Sequence, residues 1–278
     1  MRRPTRSILF CIYSHNAWGG IETWLREMLR AFEKGGWDVS LALAAGKRHN
    51  DVESFRRAFG TRETETIDGR TGTHEGRIAA ALGVLGRRKP AVVVPLGLAH
   101  VARAVGRMKA SGDGPRLVLP VHALSLQAIA EALDIERFTD VCIGVNGLLE
   151  RVLRSEGYKG SVRTIENGAP QRMARASGAR ERGGPLHVAF VGRFEQETKR
   201  VLDVVELAAE LRRRGMPYRV TMTGDGPARE LVEARIRDTG VGEHVEVLGY
   251  VPRDRVLTDL LPMADVLVLP SATEASPL

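Results

Sequence analysis

From residue 8 to residue 269, short runs rich in Val, Ile and Leu alternate with amphipathic stretches. No other feature limits the fold of this chain so strongly. Residues 8–13, 37–44, 91–95, 116–121, 141–145 and 162–165 read as strands. Between the first two, Ile21, Trp24, Leu25, Met28, Leu29 and Phe32 fall at the offsets of one helix face, and Gly35-Gly36 is a helix stop. Further helices are expected around 77–86, 98–108 and 148–156. Strands alternating with helices imply parallel βαβ units in a doubly wound α/β sheet. Residues 47–76 are polar and weakly patterned, and read as irregular surface.

Composition shifts at NGAPQRMARASGARERGG, residues 167–184, which is rich in Gly, Arg and Ala and carries no strand pattern. After it the alternation resumes. Strands are expected at 186–191, 218–223, 245–248 and 266–269, and helices at 228–238 and 253–261. Val201, Val204, Val205, Ala208 and Leu211 share the face of another helix. The expected organisation is a first domain over 1–170, a linker over 171–185 and a second, incomplete domain over 186–278. The length of 278 residues suits two domains, and 43% hydrophobic with 27% charged residues is an ordinary globular balance.

Composition also removes several function classes. Cys11 and Cys142 sit inside apolar runs without paired spacing, so they read as buried free thiols of a reducing compartment. No run approaches the ~18 apolar residues of a membrane span. MRRPTRSILFCIY imitates a secretion signal, but its apolar stretch is short and leads to no small-residue cleavage site, so it reads as a first buried strand. A net charge of +7 points either to an anionic partner or to a generally Arg-rich surface. Nucleic acid is the weakest such partner: aromatics are 5% of residues, and none interleave with a basic stretch to form a stacking platform.

In open α/β sheets ligands bind beyond the carboxyl ends of the strands, so the strand-to-helix turns come first. HNAWGGIE, residues 15–22, is either an anion-binding turn, with Gly19-Gly20 letting backbone N–H groups approach a phosphate, or a plain connecting turn. In VGRFEQETKR, residues 191–200, Arg193 leaves a strand and Lys199 lies near the next helix; the pair suits a diphosphate or a solvated face. GDGP, residues 224–227, fails the dinucleotide fingerprint because Arg229 replaces its third glycine. It reads as a structural turn with Pro227 starting the helix. His122 and Glu274 both follow strand-like runs. The first is a structural or a catalytic histidine, the second a helix-start carboxylate or a ligand contact. No metal-binding Asp-x-Asp pair, P-loop or Gly-x-Ser-x-Gly elbow is present, and no metal or cofactor is expected.

Taken in order, GGIE, PVHA with His122, VRTIENGAP, VGRFEQETKR, GDGP, VLGYVP, ADVLVLPS and PSATEASPL resemble the family 4 retaining glycosyltransferases of GT-B fold. The resemblance runs along the whole chain and implies two Rossmann-like domains facing a cleft. PSATEASPL looks like the opening of the family's Glu-x7-Glu motif, with Glu274 as its first glutamate; the second would fall beyond Leu278, as in a chain cut within a motif. By that resemblance, His122 and Glu274 are the catalytic candidates. Gly19, Gly20, Arg193, Lys199, Tyr250 and Ser276 line the donor site, with no metal. Lys199-Arg200 stands where many members have Lys-Gly, and Ala275-Ser276 where Gly and an aromatic are common.

The implied activity is metal-independent transfer of a sugar, with retention, from a nucleotide-diphosphate sugar to a glycan or lipid-linked acceptor. The implied place is cytoplasmic, with peripheral contact at the inner membrane face. The rival readings are a GT-B remnant or fragment that binds nucleotide or glycan without turnover, and a sugar-nucleotide epimerase of the same fold.

Overall fold

The computed structural model describes residues 6–13, 20–45, 59, 64–69, 72–168 and 184–274. The chain divides after Gly168 into two compact units, each built on its own parallel sheet.

The first unit opens with β1 (Ser7–Tyr13), α1 (Gly20–Lys34), β2 (Asp38–Ala45), β3 (Thr64–Asp68), α2 (His74–Arg88) and β4 (Val92–Pro95). It continues with α3 (Ala99–Ala110), β5 (Arg116–Val121), α4 (Leu126–Asp134), β6 (Val141–Gly144), α5 (Gly147–Ser155) and β7 (Val162–Thr164). Its sheet runs β3-β2-β1-β4-β5-β6-β7, every neighbouring pair parallel. β1 is buried on both faces because it is apolar at every position from Ile8 to Ile12. Alternate residues serve two cores: Ile8, Phe10 and Ile12 pack with Leu25 and Leu29 of α1, while Leu9 and Cys11 join the core under α2–α5. Helix ends follow local rules. Thr73, Ser125 and Asn146 accept the Gly76, Ala128 and Leu149 amides at 3.0, 3.2 and 2.8 Å. At the end of α1, Gly36 takes a left-handed φ of 75°, and its N–H and that of Trp37 bond back to Glu33 and Phe32.

The second unit comprises β8 (Leu186–Val191), α6 (Gln196–Lys199), α7 (Leu202–Arg213), β9 (Tyr218–Thr223), α8 (Arg229–Thr239), β10 (Val245–Gly249) and β11 (Val266–Leu267). Its parallel sheet has the order β10-β9-β8-β11. Val201, Val204, Val205, Ala208 and Leu211 are buried as their spacing requires. Three strand ends are laced through backbone. Gly192 N–H bonds Thr223 O at 3.0 Å, Phe194 N–H bonds Asp225 O at 3.0 Å, and Gly224 N–H bonds Gly249 O at 2.8 Å. A Cβ on Gly224 would lie 1.8 Å from Gly192 O, and one on Gly226 2.5 Å from Phe194 O. No side chain fits at either position.

Four sequence expectations change. Within 47–76, Thr64–Asp68 is an edge strand, hidden from pattern reading because only Ile67 is buried and Glu65 pairs outward with Arg87 and Arg88. The helix expected at 253–261 is present but irregular: Leu261 N–H reaches back to Val256 O in a wide turn, and a tight turn over Leu261–Met263, with Pro262 in it, follows. α8 begins at Arg229 rather than Pro227, with Ala228 as its cap residue. Ile21, assigned to the buried face of α1, is exposed in its first turn. Both cysteines are buried free thiols, and burial pushes the Cys142 thiol up to about 12. No helix among the described residues is long and apolar enough to cross a membrane.

Two glycine substitutions separate steric from entropic effects. Gly224→Ala is expected to lower unfolding free energy by about 2–4 kcal/mol, since backbone must move to admit the methyl group. Gly86→Ala, in an open helical position with nothing within 4 Å, is expected to raise it by about 0.5–1 kcal/mol. Chemical denaturation of both variants checks the pair.

Candidate functional site

In a parallel sheet the strand order reverses at one point, and the loops there diverge to leave a crevice at the carboxyl ends. In the second unit that point lies between β8 and β11. Lys199 ends α6, after β8, and Glu274 follows β11. The structure brings them together: Lys199 Nζ donates to Glu274 Oε1, and Ser271 Oγ donates to the same oxygen at 2.7 Å. The segment is held by backbone too, Ala272 N–H bonding Thr198 O at 2.9 Å.

What seats β11 beside β8 is a buried histidine that sequence reasoning passed over. His187 Nδ1 faces the Met263 carbonyl at 2.9 Å, which can only accept, so that nitrogen carries the proton. Nε2 shares a hydrogen bond with Thr221 Oγ1 at 2.9 Å. The backbone completes the clasp, with Asp265 Oδ2 accepting from His187 N–H at 2.7 Å and His187 O accepting from Asp265 N–H at 2.8 Å. A lone polar residue at the second position of an otherwise apolar strand was the available hint.

Arg193 is exposed in the loop after β8 and makes no side-chain hydrogen bond or ion pair with a described residue. It differs in this from Lys199. Arg200, the next residue, sits in the left-handed region at φ 50°, which explains why glycine suits this position. Tyr250 is exposed just beyond β10, two strands from β8 and so about 10 Å away along the sheet. Arg193, Lys199, Tyr250 and Glu274 therefore share the carboxyl edge of the second sheet, and of these only Lys199 and Glu274 are in contact, whereas Gly20 belongs to the first unit. Gly19 and Ser276 lie outside the described residues.

In the first unit the order reverses between β1 and β4. Gly20 opens α1 there, with nothing within 4 Å of where a Cβ would stand. His122 leaves β5 close by. Its ring meets Trp24 of α1 edge to face, centroids 4.7 Å apart, and its Nε2 is buried without a hydrogen-bond partner among the described residues. Burial lowers its pKa to about 4, so the ring is neutral at pH 7. His122 also lines a largely apolar cavity of about 130 Å³, walled by Ile21, Leu98, Val121, Ala132 and Ile135. His100, buried beneath Tyr13, likewise falls to about 4 through burial, assisted by Arg77 and His74.

Residues 175–278 match the family described as "Glycosyl transferases group 1". The 2-deoxystreptamine glucosyltransferase of Streptomyces kanamyceticus is 32% identical over 104 residues, which are 37% of this chain and 26% of that protein. The match thus spans about a quarter of that relative. Among solved structures, the lipopolysaccharide outer core galactosyltransferase WaaB aligns over 96% of this chain and 74% of its own, with TM-score 0.71 and 19% identity. The pneumococcal O-GlcNAc transferase GtfA, in complex with UDP and GlcNAc, aligns over 98% and 80%, with TM-score 0.75 and 10% identity. At such identities the likeness shows the fold, which is GT-B-like: α/β, with two Rossmann-like domains.

The two buried imidazoles set a pH dependence. Unfolded, they protonate near 6.5; folded, they remain neutral to about 4. Between these values the unfolded chain binds more protons, so stability falls as pH drops from about 6.5 to about 4 and these groups add nothing below. Thermal unfolding of a His100→Phe/His122→Phe variant across that range should show a shallower loss than wild type, by on the order of 3 kcal/mol for each histidine removed.

Proposed function

We propose that this chain forms part of a retaining glycosyltransferase that moves a sugar from a nucleotide-diphosphate sugar to a glycan or lipid-linked acceptor, without a metal. The observation that carries the reading is the meeting of Lys199 and Glu274 at the reversal point of the second sheet, with Arg193 exposed in the adjoining loop. Breaking the anomeric C–O bond builds positive charge on the sugar and negative charge on the departing diphosphate. Arg193 and Lys199 supply fixed positive charge for that leaving group. Glu274 accepts hydrogen bonds from the sugar, and Tyr250 closes the far end of the donor site.

In the first unit, neutral His122 offers its unpartnered Nε2 to a substrate hydroxyl. The apolar cavity beside it, with exposed Ile21 at its edge and Leu126 at the start of α4, suits an acceptor that carries an apolar group. That favours a lipid-linked acceptor over a bare polysaccharide, and with it peripheral contact at the cytoplasmic face of a membrane. Retention follows if the acceptor attacks from the face that the diphosphate leaves.

Calorimetric titration of UDP and GDP into the wild type and an Arg193→Ala/Lys199→Ala variant tests the assignment. One nucleotide is expected to bind, and the variant to bind it at least tenfold more weakly, since two charge-assisted contacts are worth about 1.5–3 kcal/mol each. Equal affinity in the two proteins would overturn it. Nucleotide binding with no product formed on any acceptor would favour the binding-only remnant.

A further inference from the structure

One of the two cations at the candidate site is engaged by the site's own carboxylate. Lys199 Nζ and Ser271 Oγ both converge on Glu274 Oε1, whereas Arg193 has no described ion-pair partner. A diphosphate approaching this edge meets one standing cation and one that is engaged. Lysine carries its charge on a flexible four-carbon stem, so Nζ can leave the carboxylate for a phosphate while the backbone stays in place. That exchange uncovers a carboxylate a few ångströms from incoming negative charge, which is unfavourable unless something donates to it. The hydroxyls of an attached sugar can; a bare nucleoside diphosphate has none to offer there.

Resting on the donor-site reading above, we propose that the Lys199–Glu274 pair is a specificity device: it makes the site prefer a nucleoside diphosphate that carries a sugar over the same nucleotide without one. Ser271 is a positioning residue. Its hydroxyl, three residues from Glu274 and on the segment tied to Thr198 O, fixes which oxygen faces Lys199. The neighbouring charges do not substitute for the pair. Arg200 is engaged with Asp203, and Glu195 accepts from Thr198 Oγ1 at 2.9 Å. After transfer the sugar's donors are gone, the carboxylate recaptures Lys199, and the spent nucleotide loses one of its cations. The pair therefore also speeds product release.

Calorimetry with UDP, GDP, UDP-glucose and GDP-mannose on wild type, Glu274→Gln, Lys199→Ala and the double variant tests this. Glu274→Gln should bind the bare nucleotide about five- to tenfold more tightly than wild type, because Lys199 is released and no anion is uncovered. Its preference for the sugar-bearing form should shrink. Adding Glu274→Gln to Lys199→Ala should tighten bare-nucleotide binding clearly less than it does in wild type. Ser271→Ala should move affinity in the same direction by about twofold and have no effect once Glu274 is Gln, which a purely structural role would not produce. If Lys199→Ala weakens nucleotide binding but Glu274→Gln leaves it unchanged or weaker, the pairing proposal falls and the donor site stands. If Lys199→Ala matches wild type, or no nucleotide binds, the donor-site reading falls and takes the proposal with it.

Discussion

Everything at the candidate donor site depends on three strand ends being close enough to exchange backbone hydrogen bonds. Gly192, Gly224 and Gly249 let β8, β9 and β10 do this at 2.8–3.0 Å, and side chains at 224 or 226 would occupy space already filled by the 192–194 backbone. The loop bearing Arg193 is thereby stitched to its neighbours rather than left to swing. Main-chain lacing of this kind positions charged side chains without spending them on structure, so Arg193 stays available for a ligand.

The other half of the site arrives from far along the chain, across two further strands and the irregular turns at 253–263. It is placed by His187, which uses both ring nitrogens and its backbone to seat the segment after Met263 beside β8. A fully bonded imidazole suits this task, since neither buried ring nitrogen is left without a partner. His122 in the first unit is the opposite case, with its Nε2 unpartnered among the described residues. A buried polar atom without a partner is costly, and such atoms persist where a ligand or solvent molecule completes them.

Sequence reading succeeded where a single pattern carried a whole element. β1 is an apolar run, β8 is one but for His187, and α7 with its cap residue Val201 buries the five residues that a 3.6-residue period assigns. It failed where local and tertiary demands diverge. Thr64–Asp68 looks polar because an edge strand buries one residue and pairs its charges sideways with Arg87 and Arg88. Residues 253–261 have helical spacing and are helical, but they wind irregularly, with a wide turn over Val256–Leu260 that spacing does not foretell. Among the candidates, Arg193, Lys199 and Glu274 of the second unit and His122 of the first were all legible as residues following strands. His187 and Ser271 were not, because a single polar residue in a strand or loop leaves no periodic trace.

Residue order alone determined the α/β class, the buried thiols and the strand ends that the charged candidates follow. Those properties follow from short-range periodicity and from the rule that loops leaving parallel strands share one edge. Tertiary structure decided which candidates meet. Glu274 reaches Lys199 because β11 returns to pair with β8 instead of extending the sheet beyond β10. That choice rests on contacts between residues more than seventy positions apart, and such pairings depend on geometry that no local stretch of sequence contains.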